Sequence, residues 1–153
     1  MDNFLNSINE PTVVIGGRAT DDRGALGFIN NLNLSEFKRF YSVENHEAGF
    51  IRAWHGHVNE VKALVVIRGA ALICAVKMTE TVNPSKDQPV TRVVLSASNT
   101  SALLVPAGFA NGFKTLTSDT LLLVFSSASL DESSKDDYRF PYNYWNPWDV
   151  TPR

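Results

Sequence analysis

The chain has 153 residues, 44% of them hydrophobic and 20% charged, with a net charge of −2 at pH 7. That is enough for one globular domain burying about 68–70% of its unfolded surface. Scattered Lys and Arg on a slightly acidic chain give no electrostatic footprint for nucleic acid, and no apolar run approaches the roughly 18 residues that span a bilayer.

The N-terminal stretch MDNFLNSINE has neither a basic segment nor a long apolar one, so no secretory leader is expected. Residues 12–15 are β-branched and apolar and stop at Gly16-Gly17. The turn sequence Asp21-Asp22-Arg23-Gly24 leads to a strand over 25–29. Further strands are predicted over 37–43 and 50–55. Residues 62–67 and 70–77 follow, separated by Arg68-Gly69, and the polar loop 81–88 comes next. The last strands fall at 90–95, 102–105, 112–116 and 120–126. Helical periodicity is weak and confined to 34–38 and the charged segment 131–137. Rings crowd the C-terminus (Tyr138, Phe140, Tyr142, Tyr144, Trp145, Trp148), as expected of a tail that covers core surface.

Roughly nine or ten short strands at about 8–12-residue spacing predict an all-β jelly roll, a single domain over residues 1–153 with an aromatic tail. Cys74 is the only cysteine and lies in the apolar run 70–76. It reads as a buried free thiol, which fits a cytoplasmic protein.

Two segments carry the chemistry. The first is Arg52-Ala-Trp-His55-Gly-His57. Alternate residues of a strand share a face, so both imidazoles point the same way. Paired histidines ligate a metal when a third ligand joins them, and Glu60 is near. However, the only other histidine is His46, and the second segment offers Asn111, a poor transition-metal ligand. A metal-free site is therefore expected, with His55 as a general base oriented by a carboxylate, Asp136 or Asp137. Lys62 and Arg52 then supply positive charge to an anionic intermediate.

The second segment, residues 95–113, reads LSASNTSALLVPAGFANGF. It resembles the LSAxN…LxVPxGFAHGF signature of the dTDP-4-dehydrorhamnose 3,5-epimerases, which are cupins, built as a double-stranded β-helix. Asp22-Arg23-Gly24 is similar to their DxRG motif, Arg52-Ala-Trp-His55 to their RGLH, and residues 62–69 to the strand that comes after it. The resemblance implies a cofactor-free epimerase of a dTDP-4-keto-6-deoxyhexose in cell-surface polysaccharide synthesis. It implies that His55 removes the proton beside the ketone, paired with Asp136 of the segment Ser133-Ser-Lys-Asp136, while Lys62 and Arg52 hold the enolate oxygen and sugar. It further implies Arg23 at the nucleotide phosphates, His57 and Asn111 at the substrate, and a homodimer.

Two positions depart from the pattern. The family's catalytic tyrosine aligns with Phe125, which has no proton to give, and the motif histidine of GFAHGF is Asn111. The related dTDP-sugar 3,4-ketoisomerases carry RGxHAHK and KRVYY segments, which resemble residues 52–57 and 38–41, and a late DESxDY segment like residues 131–138. A ketoisomerase is thus the alternative function, in which His55 and His57 shuttle protons between C3 and C4. Two others are a non-catalytic sugar-nucleotide-binding cupin and a metal-dependent cupin enzyme. The expected ligand in the main reading is a nucleotide sugar.

Overall fold

A computed structural model describes residues 4–153; Met1, Asp2 and Asn3, the start of the stretch tested for a leader, lie outside the described residues. The strands are β1 (Thr12–Ile15), β2 (Gly17–Asp21), β3 (Gly24–Phe28), β4 (Arg39–Glu44), β5 (Ile51–Gly56) and β6 (Lys62–Arg68). They continue as β7 (Ala70–Lys77), β8 (Val90–Ser96), β9 (Ser101–Val105), β10 (Phe109–Thr115), β11 (Leu121–Ser126) and β12 (Tyr138–Arg139). A short α-helix, α1 (Leu130–Ser134), is capped by Ser129, whose side chain and that of Glu132 form a capping box.

Two five-stranded antiparallel sheets make the body, in the orders β1-β9-β6-β11-β4 and β12-β5-β10-β7-β8. The jelly roll expected from the strand pattern is the architecture found. Between the sheets lies a core of Leu64, Val66, Ile73, Leu103, Phe109, Phe113, Leu122 and Val124. On the outer face of the second sheet Trp54 and Leu72 are covered by Trp145 and Trp148 of the C-terminal tail. Strand β7 is therefore buried on both faces, which is why residues 71–76 read as one unbroken apolar run. Among the described residues no helix is long and apolar enough to cross a membrane.

Two strands escaped the sequence, β2 and the two-residue β12. Strand β2 is short and polar and pairs only with β3, in a hairpin separate from both sheets. The weak 34–38 periodicity becomes a 3₁₀ turn at Leu34–Glu36.

A bulge in β5 gives the interior its functional lining. Asn111 of β10 pairs with His55, yet Phe113 pairs with Arg52, so two steps on one strand answer three on the other. Such an extra residue re-aims the side chains around it. Arg52, His55 and His57 consequently all reach one cavity, while Trp54 turns outward to the tail and is 0% exposed. Gly112 faces the crowded side: a Cβ there would lie 2.4 Å from Ala53 Cβ and 2.9 Å from Arg52 O. Gly112→Ala is expected to lower stability in a denaturant melt by about 1–3 kcal/mol, the usual cost of overpacking, and to disturb the β5 bulge. Unchanged stability would mean that β5 yields freely there.

Candidate active site

The cavity opens between the two sheets and has a volume of about 420 Å³. Arg52, His55 and His57 come from β5 and its end, Lys62 and Leu64 from β6, Asn111 and Phe113 from β10. Strand β4 adds Arg39, Tyr41 and Val43, and the C-terminal segment adds Ser133, Asp137 and Arg139. Arg139 arrives because β12 pairs with β5, placing it opposite His55.

The mouth is tied by hydrogen bonds between the two distinctive segments. Pro106-Ala-Gly108 turns the chain between β9 and β10, with Gly108 at φ +85°, a left-handed conformation that favours glycine. The Gly108 N–H donates to His57 O at 2.8 Å, and Asn111 Nδ2 donates to His55 O at 3.3 Å. The VPAGFAN signature thus braces the histidine strand.

Asp136 does a different job from the one expected. Its carboxylate accepts the backbone N–H groups of Val58 at 2.7 Å, Asn59 at 2.8 Å and Glu60 at 3.1 Å. Those bonds occupy it with the loop after β5, and the carboxylate that lines the cavity beside His55 is Asp137. Asp137 also accepts from Arg139 Nε at 3.0 Å.

Two further candidate residues lie away from the cavity. Phe125 lies outside the cavity, packed on Phe37 and Phe40 with ring centroids 6.0 Å away from each. Along β11 the side chains alternate, so Leu122, Val124 and Ser126 are buried while Phe125 faces the other way. Val124 lines the cavity instead. Arg23, with its side chain 86% exposed, sits at the tip of the β2–β3 hairpin, pairs with Asp21 and takes no part in the cavity.

Sequence reasoning gave no site role to Arg39, Arg139 or Tyr41. Strand β4 pairs with β11, opposing Tyr41 to Val124, a long-range neighbour relation with no local signal. Tyr41 is the one tyrosine among the cavity-lining residues.

The lining carries four cations, Arg39, Arg52, Lys62 and Arg139, against one carboxylate, Asp137. Such a surface favours an anion or a group that becomes anionic. Burial lowers the His55 pKa to about 4, reinforced by Lys62 and Arg139 and opposed by Asp137. Burial and Lys62 lower that of His57 also, and burial lowers that of Lys62. Burial raises that of the Tyr41 phenol, with Glu60 acting in the same sense. At neutral pH both imidazoles are therefore neutral, in the proton-accepting form, beside fixed positive charge.

The family model described as dTDP-4-dehydrorhamnose 3,5-epimerase matches residues 8–140. The chain belongs to this family. Among solved structures it is similar to a dTDP-4-dehydrorhamnose 3,5-epimerase from Bacillus anthracis with TDP and PPi bound. That match is 26% identical, has a TM-score of 0.73 and covers 99% of this chain and 90% of that one. A 3'-monoepimerase from Streptomyces bikiniensis in complex with dTDP-quinovose is 19% identical at TM-score 0.72, covering 96% and 80%. A 3,4-ketoisomerase from Helicobacter canadensis is 19% identical at TM-score 0.65, covering 88% and 93%. At those two identities the likeness is one of fold. No curated protein matches the sequence.

The imidazole C2 proton of His55 should titrate in NMR with a midpoint near 4, where an open histidine gives about 6.5. Because the folded value lies below the unfolded one, the unfolded chain binds this proton first. His55 should therefore cost the fold stability as pH falls from about 6.5 towards 4, and a His55→Asn variant should soften that loss. A midpoint at the ordinary value would show a solvated ring.

Proposed function

We propose that this protein is a sugar-nucleotide epimerase that removes the proton α to the ketone of a dTDP-4-keto-6-deoxyhexose. The observation that supports it most is the neutral pair His55 and His57 inside a cavity lined by four cations. Loss of an α-proton leaves an enolate whose oxygen carries the developing charge. A base in its free form and a cation at that oxygen are the two things the step needs.

In this reading His55 or His57 takes the proton and Lys62 faces the enolate oxygen. Arg52 positions the sugar, with Asp137 rather than Asp136 next to His55. Asn111 holds the β5 backbone. Tyr41 is the proton donor that restores the carbon, since the β11 residue that lines the cavity is Val124, which has no hydroxyl. The diphosphate of a nucleotide sugar suits Arg39 and Arg139 at the mouth. Support for the nucleotide comes from the TDP in the Bacillus anthracis structure and the dTDP-sugar in the Streptomyces bikiniensis one. A homodimer fits the β2–β3 hairpin and the β1 edge, where Ile15 is 70% and Leu26 63% exposed. A partner's cavity would then give Arg23 its place at the phosphates. The setting we propose is cytoplasmic polysaccharide-precursor synthesis.

The second reading is 3,4-ketoisomerisation. It is favoured by one observation: both histidines of the HxH pair line the cavity with Tyr41, so two bases and one acid can serve neighbouring carbons.

Carbon NMR of the product from dTDP-4-keto-6-deoxyglucose separates the two. The expected product keeps its ketone at C4 with an inverted neighbouring centre; a ketone at C3 would make the protein a ketoisomerase. An unchanged sugar would overturn both. His55→Asn and Tyr41→Phe should each lower kcat by about 10²–10⁴-fold while dTDP still binds, the usual range for a lost general acid or base. Full activity in Tyr41→Phe would assign the acid elsewhere.

A further inference from the structure

Glu60 is absent from the cavity lining, yet its side chain is 0% exposed. A buried carboxylate is costly unless hydrogen bonds and charge compensate it. Here Ser126 Oγ of β11 donates to Oε1, and Ser133 Oγ of α1 donates to Oε2 at 2.9 Å. The Arg39 guanidinium of β4 lies 3.9 Å from Oε1, and His57 Nδ1 lies 3.0 Å from Oε2. Three separate elements and the loop after β5 thus converge on one carboxylate behind one histidine.

The other contact of His57 Nδ1 assigns the tautomer. It reaches the backbone oxygen of Asp136 as well as Glu60. A carbonyl oxygen only accepts, so Nδ1 carries the proton and the lone pair is on Nε2. Nε2 is buried and has no hydrogen-bond partner among the described residues, on a ring that lines the cavity. A buried nitrogen left bare in this way awaits a proton from something that enters the cavity.

We propose that Glu60 is the positioning residue of His57. It helps pin the ring with the proton on Nδ1 and Nε2 free, and it offsets the positive charge when Nε2 accepts the substrate's α-proton. The pinning of α1 through Ser133 makes the same carboxylate a tie between the base and the C-terminal wall of the cavity. This inference rests on the enolisation reading of the site, with His57 as a base in it.

The charges around His57 fix the sign of the pH effect. Lys62 on β6 opposes protonation together with burial, while Glu60 and Asp136 favour it. His55 of β5, Arg39 and Tyr41 of β4, and Asp137 and Arg139 at β12 line the same cavity. Removing the Glu60 charge takes away a favourable interaction, so protonation of His57 should move to still lower pH.

The test compares wild type, Glu60→Gln and Glu60→Asp on dTDP-4-keto-6-deoxyglucose. Glu60→Gln should lower kcat by about 100-fold or more with KM changed less than about threefold. The acid limb of kcat/KM should move to lower pH. Glu60→Asp, which keeps the charge, should recover at least about tenfold of that loss. A folded Glu60→Gln with wild-type kcat and an unmoved acid limb overturns the proposal, even if its melting temperature falls. Nitrogen-15 NMR of His57 in the wild type serves where the variants fail to fold. A protonated Nδ1 and bare Nε2 is the expected state, and the opposite tautomer overturns the proposal. A wild type that leaves the sugar unchanged would instead remove the functional reading, and the His57 tautomer would still decide whether Glu60 positions the ring.

Discussion

The carboxylate of Asp136 accepts three consecutive backbone N–H groups, those of Val58, Asn59 and Glu60, and the cavity mouth hangs on that grip. Hydrogen bonds to an ionised acceptor are about twice as strong as neutral ones, and Asp136 is nearly buried, so solvent competes little for them. The grip joins two distant parts of the chain. On one side it shapes the loop that carries Glu60 behind His57. On the other it brings Asp137 and Arg139 against β5, where β12 pairs with Gly56 and His55. It adds to the two β12 pairings, the backbone bonds between Trp54 and Phe140, and the contacts of α1 and the tail in holding the C-terminal wall.

That wall sets the electrostatics. Lys62 and Arg139 face His55, burial adds to their effect, and the imidazole stays neutral down to about 4. A solvated histidine would be partly protonated near neutrality and repelled by the same cations. The fold thus keeps a base free of its proton beside positive charge, a combination suited to making and holding an enolate. Nothing in this arrangement depends on a phenol from β11, where the family pattern has its tyrosine. Tyr41 on the adjacent strand lines the cavity opposite Val124, and it is the acid we propose.

How much of this was legible in the sequence depends on how local each feature is. The β-branched and apolar runs of β1, β6, β7, β9 and β11 announce themselves, and the 95–113 signature placed the chain in its family. Strand β2 did not, because Gly-Arg-Ala-Thr-Asp has no apolar alternation. Phe125 lies one residue past the cavity-lining Val124: both are apolar, and only the pairing of β11 with two neighbours says which one faces inward. Asp136 was found through its motif, but nothing in a sequence tells a carboxylate that grips amides from one that meets an imidazole. Arg39 and Arg139 depend on pairings across many residues. Glu60 had a faint signal, an acidic residue close after the HxH pair and just before an apolar strand.

The central claim is that this cavity strips a proton from the carbon beside a ketone. It is tested most directly with dTDP-4-keto-6-deoxyglucose deuterated at both C3 and C5, incubated with the protein in ordinary water and followed by mass spectrometry. The account predicts loss of deuterium catalysed by wild type and abolished in the His55→Asn, His57→Asn double variant. Full retention of the label with wild type, under conditions where the sugar nucleotide is bound, would contradict it.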